Sequence, residues 1–115
     1  GEHFCALTDA LGICKFSTVQ DYALFPEDLA AGLQAHGMEI SGEDLTLIGE
    51  RIVNLERLYN LRHGVADDTL PERFSDIPLT GMLKEYYEVR GWEASGVPGP
   101  DKLRLLELST EQDGI

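Results

Sequence analysis

The segment DALGICKF, at residues 9–16, brings together residue types that could do chemistry. Asp9 supplies a carboxylate and Cys14 a thiol, and Gly12 between them lets backbone amides approach a ligand closely. Lys15 directly follows the cysteine and favours its thiolate form. Iron–sulfur clusters are held by cysteine thiolates, usually four, so the segment could supply part of a metal site whose other ligands lie elsewhere.

Asp9 and Cys14 also have purely structural interpretations. A cysteine that follows an apolar helix is commonly a buried small hydrophobe. Asp9 lies near the C-terminal end of a predicted helix, where the dipole disfavours a carboxylate and such residues are often exposed and inert. Its chemical alternative is to accept paired N–H donors from a planar amidine-like edge, as in a guanidinium or a pterin. The residue types alone leave these alternatives open.

Other residues with chemical potential have simpler interpretations. Asp67 and Asp68 could form a carboxylate pair for acid–base work, but adjacent acids in a stretch rich in proline and aspartate are typical of turns. The histidines fit no zinc-ligand spacing, and we interpret them as surface or capping residues: His3, His36 and His63. Four arginines are interpreted as surface residues or intramolecular ion-pair partners: Arg51, Arg57, Arg62 and Arg73.

Composition limits the class of protein. Among 115 residues 21 are acidic and 9 are basic, and the isoelectric point is near 4.4. Such a charge repels phosphate backbones and anionic lipid surfaces, which argues against nucleic-acid and membrane binding. No apolar run approaches the roughly 20 residues that span a bilayer, and two cysteines are too few for a secreted disulfide scaffold. We therefore expect a cytoplasmic protein without nucleic-acid or membrane partners.

Helical signals dominate the chain, and its β-like alternations are too short for a sheet. The first helix is predicted to end near Leu11. The glycines expected just beyond successive helices are Gly12, Gly37, Gly64 and Gly91, and the prolines expected to begin the second and the last are Pro26 and Pro100. We predict an all-α, irregular multi-helix domain of about five helices around one long central helix, with no sheet. It is predicted to cover residues 1–108, followed by a disordered tail at 109–115.

The long central helix, predicted over residues 42–63, carries two apolar strips. Ser41 and Asp44 at its start resemble a capping box. The first strip follows spacings of three and four residues: Leu45, Ile48, Ile52, Leu55 and Tyr59. The second lies roughly opposite, with Asn54 between its members: Leu47, Leu58 and Leu61. A helix apolar on two sides needs burial on both, so the second strip is predicted to be partly exposed or to face a partner, and Gly49 predicts a close backbone approach.

Three segments together resemble a known family. They are DALGICKF, then GERIVNLERLYNLRHGVADDTLPERF at residues 49–74, then MLKEYYEVRGWEASGVPGPDKLRLLEL at residues 82–108. In this order they resemble the C-terminal domain of tungsten-containing aldehyde ferredoxin oxidoreductases. The resemblance covers residues 9–108, and its most specific part is the long middle segment.

The resemblance implies that the chain is a fragment of a several-fold longer enzyme. That family oxidises aldehydes to carboxylic acids at a tungsten held by two molybdopterins, and passes electrons through one 4Fe-4S cluster to ferredoxin. The family's DxxGxC pattern implies that Asp9 contacts a pterin and that Cys14 is the fourth cluster ligand. Gly12 and Ile13 would keep the backbone close to the cofactors. Lys15 stands where many members have an acid.

The resemblance also implies what this chain lacks. The other three cluster ligands and the remaining cofactor contacts would belong to other domains of the same enzyme, so the fragment alone is expected to bind no cofactor and to be inactive. Its implied partners are those domains, ferredoxin and a small aldehyde substrate, and the fragment could form a homodimer through its uncovered apolar strip. The alternative interpretation is an acidic helical protein-interaction module with no cofactor.

Overall fold

The computed structural model describes residues 1–18 and 24–108. In these ranges the chain forms five α-helices: α1 (Glu2–Ala10), α2 (Pro26–Ala35), α3 (Gly42–Arg62), α4 (Leu79–Arg90) and α5 (Pro100–Leu105). Two short 3₁₀ turns lie at Lys15–Ser17 and Glu72–Phe74. No β-strand forms within the described ranges, where an isolated bridge pairs Trp92 with Pro98. The prediction of an all-α fold with about five helices and one long helix is therefore confirmed.

The chain divides into two compact units, Gly1–Val53 and Asn54–Ile115, and α3 contributes its first half to one and its second half to the other. The predicted domain bounds of 1–108 stay a prediction. The expected tail at residues 109–115 lies outside the described residues. No helix within the described ranges combines the length and the apolar character that crossing a membrane requires.

The core of the first unit joins α1, α2 and α3 through four buried residues: Leu7, Leu29, Ala30 and Leu45. Partly buried apolar side chains surround them: Phe4, Ile13, Leu24, Leu33, Ile40 and Ile48. Fully burying a leucine side chain such as Leu7 or Leu45 stabilises a fold by about 1.5 to 3 kcal/mol. Ile13 ties the loop after α1 to this core, which matters because the candidate chemical residues lie on that loop.

Local signals position the ends of the helices as predicted. The Asp44 carboxylate accepts a hydrogen bond from the Ser41 backbone N–H at 2.8 Å, and the Ser41 hydroxyl oxygen accepts one from the Asp44 N–H at 3.1 Å. This reciprocal pair is the predicted capping box of α3. The predicted stop glycines all have positive φ: Gly12, Gly37, Gly64 and Gly91.

The second unit is built around polar side chains that are buried together with aromatic rings. Asn54 is fully buried, and its side-chain oxygen accepts a hydrogen bond from the Trp92 indole N–H at 2.8 Å. Arg57 is also buried, with its guanidinium carbon 5.1 Å from the centre of the Trp92 ring. Other buried side chains of this unit are Tyr87, Arg90, Leu106 and Leu108.

Of the two apolar strips of α3, the second is partly exposed as predicted, whereas the first differs from the prediction. Leu45 is buried as expected, but the first strip emerges into solvent at its C-terminal end, where Leu55 is 37% exposed and Tyr59 is 54% exposed. The members of the second strip are all partly buried: Leu47, Leu58 and Leu61. The most exposed apolar surface of α3 is therefore the end of the first strip. Periodicity could not predict this because it locates a face without saying what packs on it.

Candidate functional site

The loop that carries the candidate chemical residues begins where α1 ends. The N–H of Ile13 donates to the carbonyl of Thr8 at 2.9 Å, and the N–H of Gly12 donates to the carbonyl of Asp9 at 3.1 Å. Gly12 has φ +69°, a left-handed conformation that other residues adopt at a cost. These bonds form a Schellman ending. A Cβ on Gly12 would meet open space, so backbone conformation and not crowding requires glycine here.

Ile13 anchors this loop in the core of the first unit. Its side chain packs against the buried cluster that contains Leu7, the usual apolar contact of a Schellman ending. Thr8, directly preceding Asp9, is fully buried and its hydroxyl donates to the Cys5 carbonyl at 3.0 Å. The last turn of α1 is therefore fixed from inside the unit, and the residues on its outer side inherit a defined position.

Cys14 is a free, exposed cysteine, so the interpretation as a buried small hydrophobe is wrong. Its backbone is extended, with φ −62° and ψ 128°, and its carbonyl accepts hydrogen bonds from the Ser17 N–H at 3.0 Å and from the Ser17 hydroxyl at 2.6 Å. Cys5, in contrast, is half-buried within α1. Hydrogen bonds therefore hold the carbonyl group of Cys14, while Cys14 as a whole is exposed to solvent.

Asp9 is exposed and forms an ion pair. The Lys15 ammonium lies 2.9 Å from Oδ2 of Asp9, with the two side chains 44% and 65% exposed respectively. The same ammonium donates to the Cys5 carbonyl at 3.3 Å. The hydrogen bond to the Asp9 carboxylate raises the pKa of Lys15 above its ordinary value, so this residue stays cationic at neutral pH. The structure brings Asp9, Gly12, Ile13 and Cys14 together on one loop, as their closeness in sequence requires.

The donor atoms on this loop fit a shared cofactor site and not a complete one. Within residues 1–18 and 24–108, no group of three or more histidine, cysteine or acidic side chains is arranged to hold a metal ion. An exposed cysteine at the end of a rigid helix nevertheless suits one ligand of a cluster completed by other domains. An exposed carboxylate beside it has oxygen lone pairs left to accept N–H donors from a ring such as a pterin.

Of the two adjacent acids Asp67 and Asp68, Asp68 has a structural role. Asp68 accepts from the Arg57 guanidinium, with Nη1 3.2 Å from Oδ1, and the Tyr87 hydroxyl donates to its other oxygen. Burial and this hydrogen bond raise the pKa of Tyr87. Asp67 is exposed. Residues 65–70 form neither a helix nor a turn, so the turn interpretation is wrong at this pair, and the carboxylate of Asp68 is instead engaged in hydrogen bonds within the fold.

The sequence predicted for Arg57 only what it predicted for three other arginines, a surface position or an intramolecular ion pair. Its Nε donates to the Gly96 carbonyl at 2.8 Å and its Nη2 to the Ala66 carbonyl at 3.0 Å, in addition to the Asp68 contact. A sequence signal was available in α3, where Asn54 and Arg57 interrupt the second apolar strip at helical spacing. Polar residues on a face that must be buried predict a hydrogen-bonded network.

A cavity of about 640 Å³ lies beside this network in the second unit. Asp68, Tyr87 and Trp92 form one part of its wall, and Leu83 and Thr80 from α4 form another. None of Asp9, Gly12, Ile13 and Cys14 belongs to its lining. The sequence-predicted site residues therefore do not contribute to this cavity.

Comparison with known proteins now adds to this geometry. A family model described as aldehyde ferredoxin oxidoreductase, domains 2 and 3, matches residues 1–108. The chain belongs to this family. The tungsten-containing aldehyde ferredoxin oxidoreductase of Pyrococcus furiosus is 38% identical, and that of Thermococcus kodakarensis 41% identical, each over 90% of this chain.

Membership in this family confirms the resemblance seen in the sequence and places the chain in a family of oxidoreductases. The chain spans 19% of the length of those two curated relatives, so it corresponds to a part of such an enzyme. Both relatives are named as tungsten-containing enzymes, and the name describes those proteins. Neither comparison assigns a role to Asp9, Gly12, Ile13 or Cys14.

Proposed function

We propose that this chain is the cofactor-contacting C-terminal part of a tungsten-dependent enzyme that oxidises aldehydes to carboxylic acids. Cys14 supplies one ligand of a 4Fe-4S cluster, and Asp9 contacts a pterin of a tungsten-bis(molybdopterin) cofactor. The observation that carries the proposal is the exposure of both residues on one anchored helix end, in a chain of the aldehyde ferredoxin oxidoreductase family.

The environment of Cys14 suits a cluster ligand. A thiolate is required for ligation, and Cys14 is exposed at the end of an anchored helix, where other domains can reach it. Because no second cysteine lies on the same loop, the other ligands come from the remaining domains of the enzyme. A bound cluster would supply one-electron transfer at this end of α1, toward ferredoxin as the acceptor. Pairing with ferredoxin is most consistent with a cytoplasmic enzyme.

The environment of Asp9 suits a pterin contact. A carboxylate carries two oxygens with about four lone-pair sites, so the bond from Lys15 to Oδ2 leaves capacity for paired N–H donors. Gly12 leaves open space beyond its Cα, which lets a planar ring approach the backbone. Ile13 contributes by anchoring the loop, since its side chain is committed to the core of the first unit.

The remaining domains of the same enzyme are the proposed partners of the exposed apolar residues. Leu55 and Tyr59 on α3 and Phe16 beside Cys14 are large side chains that a complete enzyme would cover. The small aldehyde substrate would be bound by those domains together with the tungsten centre. The isolated chain is proposed to be inactive, because it carries one cluster ligand out of a full set.

The test uses the full-length enzyme produced anaerobically with tungstate. Cys14→Ser is expected to abolish the electron paramagnetic resonance signal of the reduced cluster, while Cys5→Ser, which changes the half-buried cysteine, retains it. Equal loss in both variants would contradict the assignment of Cys14. A wild-type enzyme without bound tungsten or cluster iron would contradict the proposed function as a whole.

A second test addresses Asp9. Asp9→Ala is expected to lower the content of pterin and tungsten per enzyme several-fold, because the ring loses an anionic acceptor. Asp101→Ala is the matched control, since Asp101 is also an exposed acid paired with a cation, Arg104. Equal cofactor content in the two variants would show that Asp9 does not contact the pterin.

A further inference from the structure

The side chain of Lys15 reaches back from the cysteine loop to two acceptors on α1. Its ammonium lies 2.9 Å from Oδ2 of Asp9 and 3.3 Å from the carbonyl oxygen of Cys5. These acceptors lie one helical turn apart, on the last two turns of α1. The proposed roles of Asp9 and Cys14 make no use of this bridge.

The bridge closes a loop around Cys14. On the N-terminal side, the backbone is fixed where the N–H of Ile13 bonds to the Thr8 carbonyl. On the C-terminal side, Lys15 returns to α1 through its side chain, and Ser17 bonds to the carbonyl of Cys14. Cys14 therefore lies between two attachments to the same helix.

The acceptors on α1 are themselves held in place. The Cys5 carbonyl also accepts a hydrogen bond from the hydroxyl of the fully buried Thr8, at 3.0 Å. A lysine bonded to this carbonyl is therefore held against a part of the backbone that the core of the first unit fixes in place. It is not held by a surface side chain alone. An isolated exposed ion pair would lack this second attachment.

We propose that Lys15 is a positioning residue that couples the two cofactor contacts: it fixes the Cys14 backbone relative to the Asp9 carboxylate and carries a positive charge on the residue that follows the cluster ligand. The inference rests on the proposed function of Asp9 and Cys14. A positive charge near the thiolate stabilises the more negative, reduced state of a cluster and so raises its reduction potential. Removing that charge lowers the reduction potential, and the Asp9 carboxylate that loses this ion pair lowers it further.

Protein stability is a poor readout for this role. Both partners of the Lys15–Asp9 pair are substantially exposed, and exposed pairs contribute little to the free energy of unfolding. The reduction potential of the cluster is a better readout, because replacing a surface lysine that has no influence on the cluster would leave the potential unchanged.

The experiment measures this potential in the full-length enzyme, by reductive titration followed with electron paramagnetic resonance. Lys15→Met is expected to lower the potential and to broaden the cluster signal, since both the charge and the bridge are lost. Lys15→Arg keeps a cation able to reach both acceptors and is expected to stay close to the wild type. Lys84→Met, at an exposed lysine of α4, is the control and is expected to leave the potential unchanged.

Each outcome decides the inference. An intact cluster with an unchanged potential in Lys15→Met would overturn the role of Lys15, while loss of the cluster in Cys14→Ser would still support the proposed function. If Lys15→Met cannot assemble the cluster, assembly in Lys15→Arg supports the positioning role and its absence there overturns it. A cluster that persists in Cys14→Ser would overturn the proposed role of Cys14, on which this inference rests.

Discussion

A Cβ atom on Gly49 would lie 2.9 Å from the carbonyl carbon of His3 and closer still to its oxygen. Gly49 is buried in the interior of α3, and the backbone of α1 passes against it within the first unit. The close approach predicted from an interior glycine is thereby confirmed. It brings α1, which ends at the proposed cofactor contacts, directly onto the longest helix.

This contact reverses the usual effect of replacing a helical glycine. Gly49→Ala is expected to lower the free energy of unfolding by about 1 to 3 kcal/mol, because backbone atoms must move to admit the methyl group. Gly32→Ala is the matched control in α2, where a Cβ meets nothing within 4 Å, and it is expected to raise stability by about 0.5 to 1 kcal/mol. Urea unfolding followed by circular dichroism measures both. The same sign for the two variants would contradict the packing described here.

The network around Arg57 predicts a second stability effect. Arg57→Met is expected to cost about 2 to 3 kcal/mol, since the Gly96 and Ala66 carbonyls lose this donor and the Asp68 carboxylate keeps only the hydrogen bond from Tyr87 among those described. The cost stays at the lower end for a buried pair because the Asp68 side chain is 37% exposed. Thermal and urea unfolding provide the measurement.

An exposed arginine serves as the control for that substitution. Arg104 pairs with Asp101 on the surface of α5, and Arg104→Met is expected to change stability by no more than about 0.5 kcal/mol. A double-mutant cycle between Arg57→Met and Tyr87→Phe should show non-additive costs, because both residues bond to Asp68. Strict additivity would mean that the network is not formed in solution.

The buried bond between Asn54 and Trp92 predicts a third effect. Asn54→Leu is expected to cost about 1 to 3 kcal/mol, because the indole N–H is left buried without its acceptor. Trp92→Phe removes that donor, so Asn54→Leu should cost less in its presence than in the wild type. Unfolding is followed by far-ultraviolet circular dichroism, because Trp92 is the single tryptophan and is itself replaced in one of the variants. An unchanged cost in the Trp92→Phe background would argue against the bond.

The capping box of α3 predicts a dependence of stability on pH. Hydrogen bonds from Ser41 hold the pKa of Asp44 below its ordinary value of 3.8. A group whose pKa is lower in the folded state stabilises the fold above its unfolded pKa, and that contribution is lost as the pH falls through the folded pKa. Stability from this cap should therefore decline below about pH 4.

Ser41→Ala tests that dependence directly. Nuclear magnetic resonance of the Asp44 carboxyl carbon should show the pKa rising toward its ordinary value, since the donor hydroxyl is removed. The variant should also lose about 1 kcal/mol of stability at neutral pH, a typical cost of deleting an N-cap. An Asp44 pKa identical to that of the wild type would contradict the assigned box.

The exposed end of the first strip predicts the behaviour of the isolated chain. Homodimerisation through Leu55 and Tyr59 is proposed where the remaining domains are absent, and sedimentation equilibrium should detect it. Leu55→Ser with Tyr59→Ser is expected to weaken association several-fold. Val89→Ser, at another highly exposed apolar residue, should leave it unchanged. A chain that stays monomeric at every concentration would remove the proposed dimer.

The sequence by itself determined the features that depend on neighbouring residues. The ending of α1 just before Gly12, the start of α2 at Pro26 and the box at Ser41 and Asp44 follow from backbone conformation and hydrogen bonds within a few residues. The nearness of Asp9 to Cys14 is likewise local. Family membership was also predictable, because three segments resemble the family in the same order along the chain.

The tertiary structure alone decided which side chains meet over long separations. Arg57 reaches Gly96 across 39 positions and Asn54 reaches Trp92 across 38, which no periodicity encodes. The exposure of Leu55 and Tyr59 depended in the same way on what the fold packs beside α3. Even the short-range bridge from Lys15 to Asp9 depends on the path that the backbone takes after Gly12, which the sequence alone does not specify. Local propensity fixes where a helix starts and stops, whereas burial depends on every element that competes for the same face.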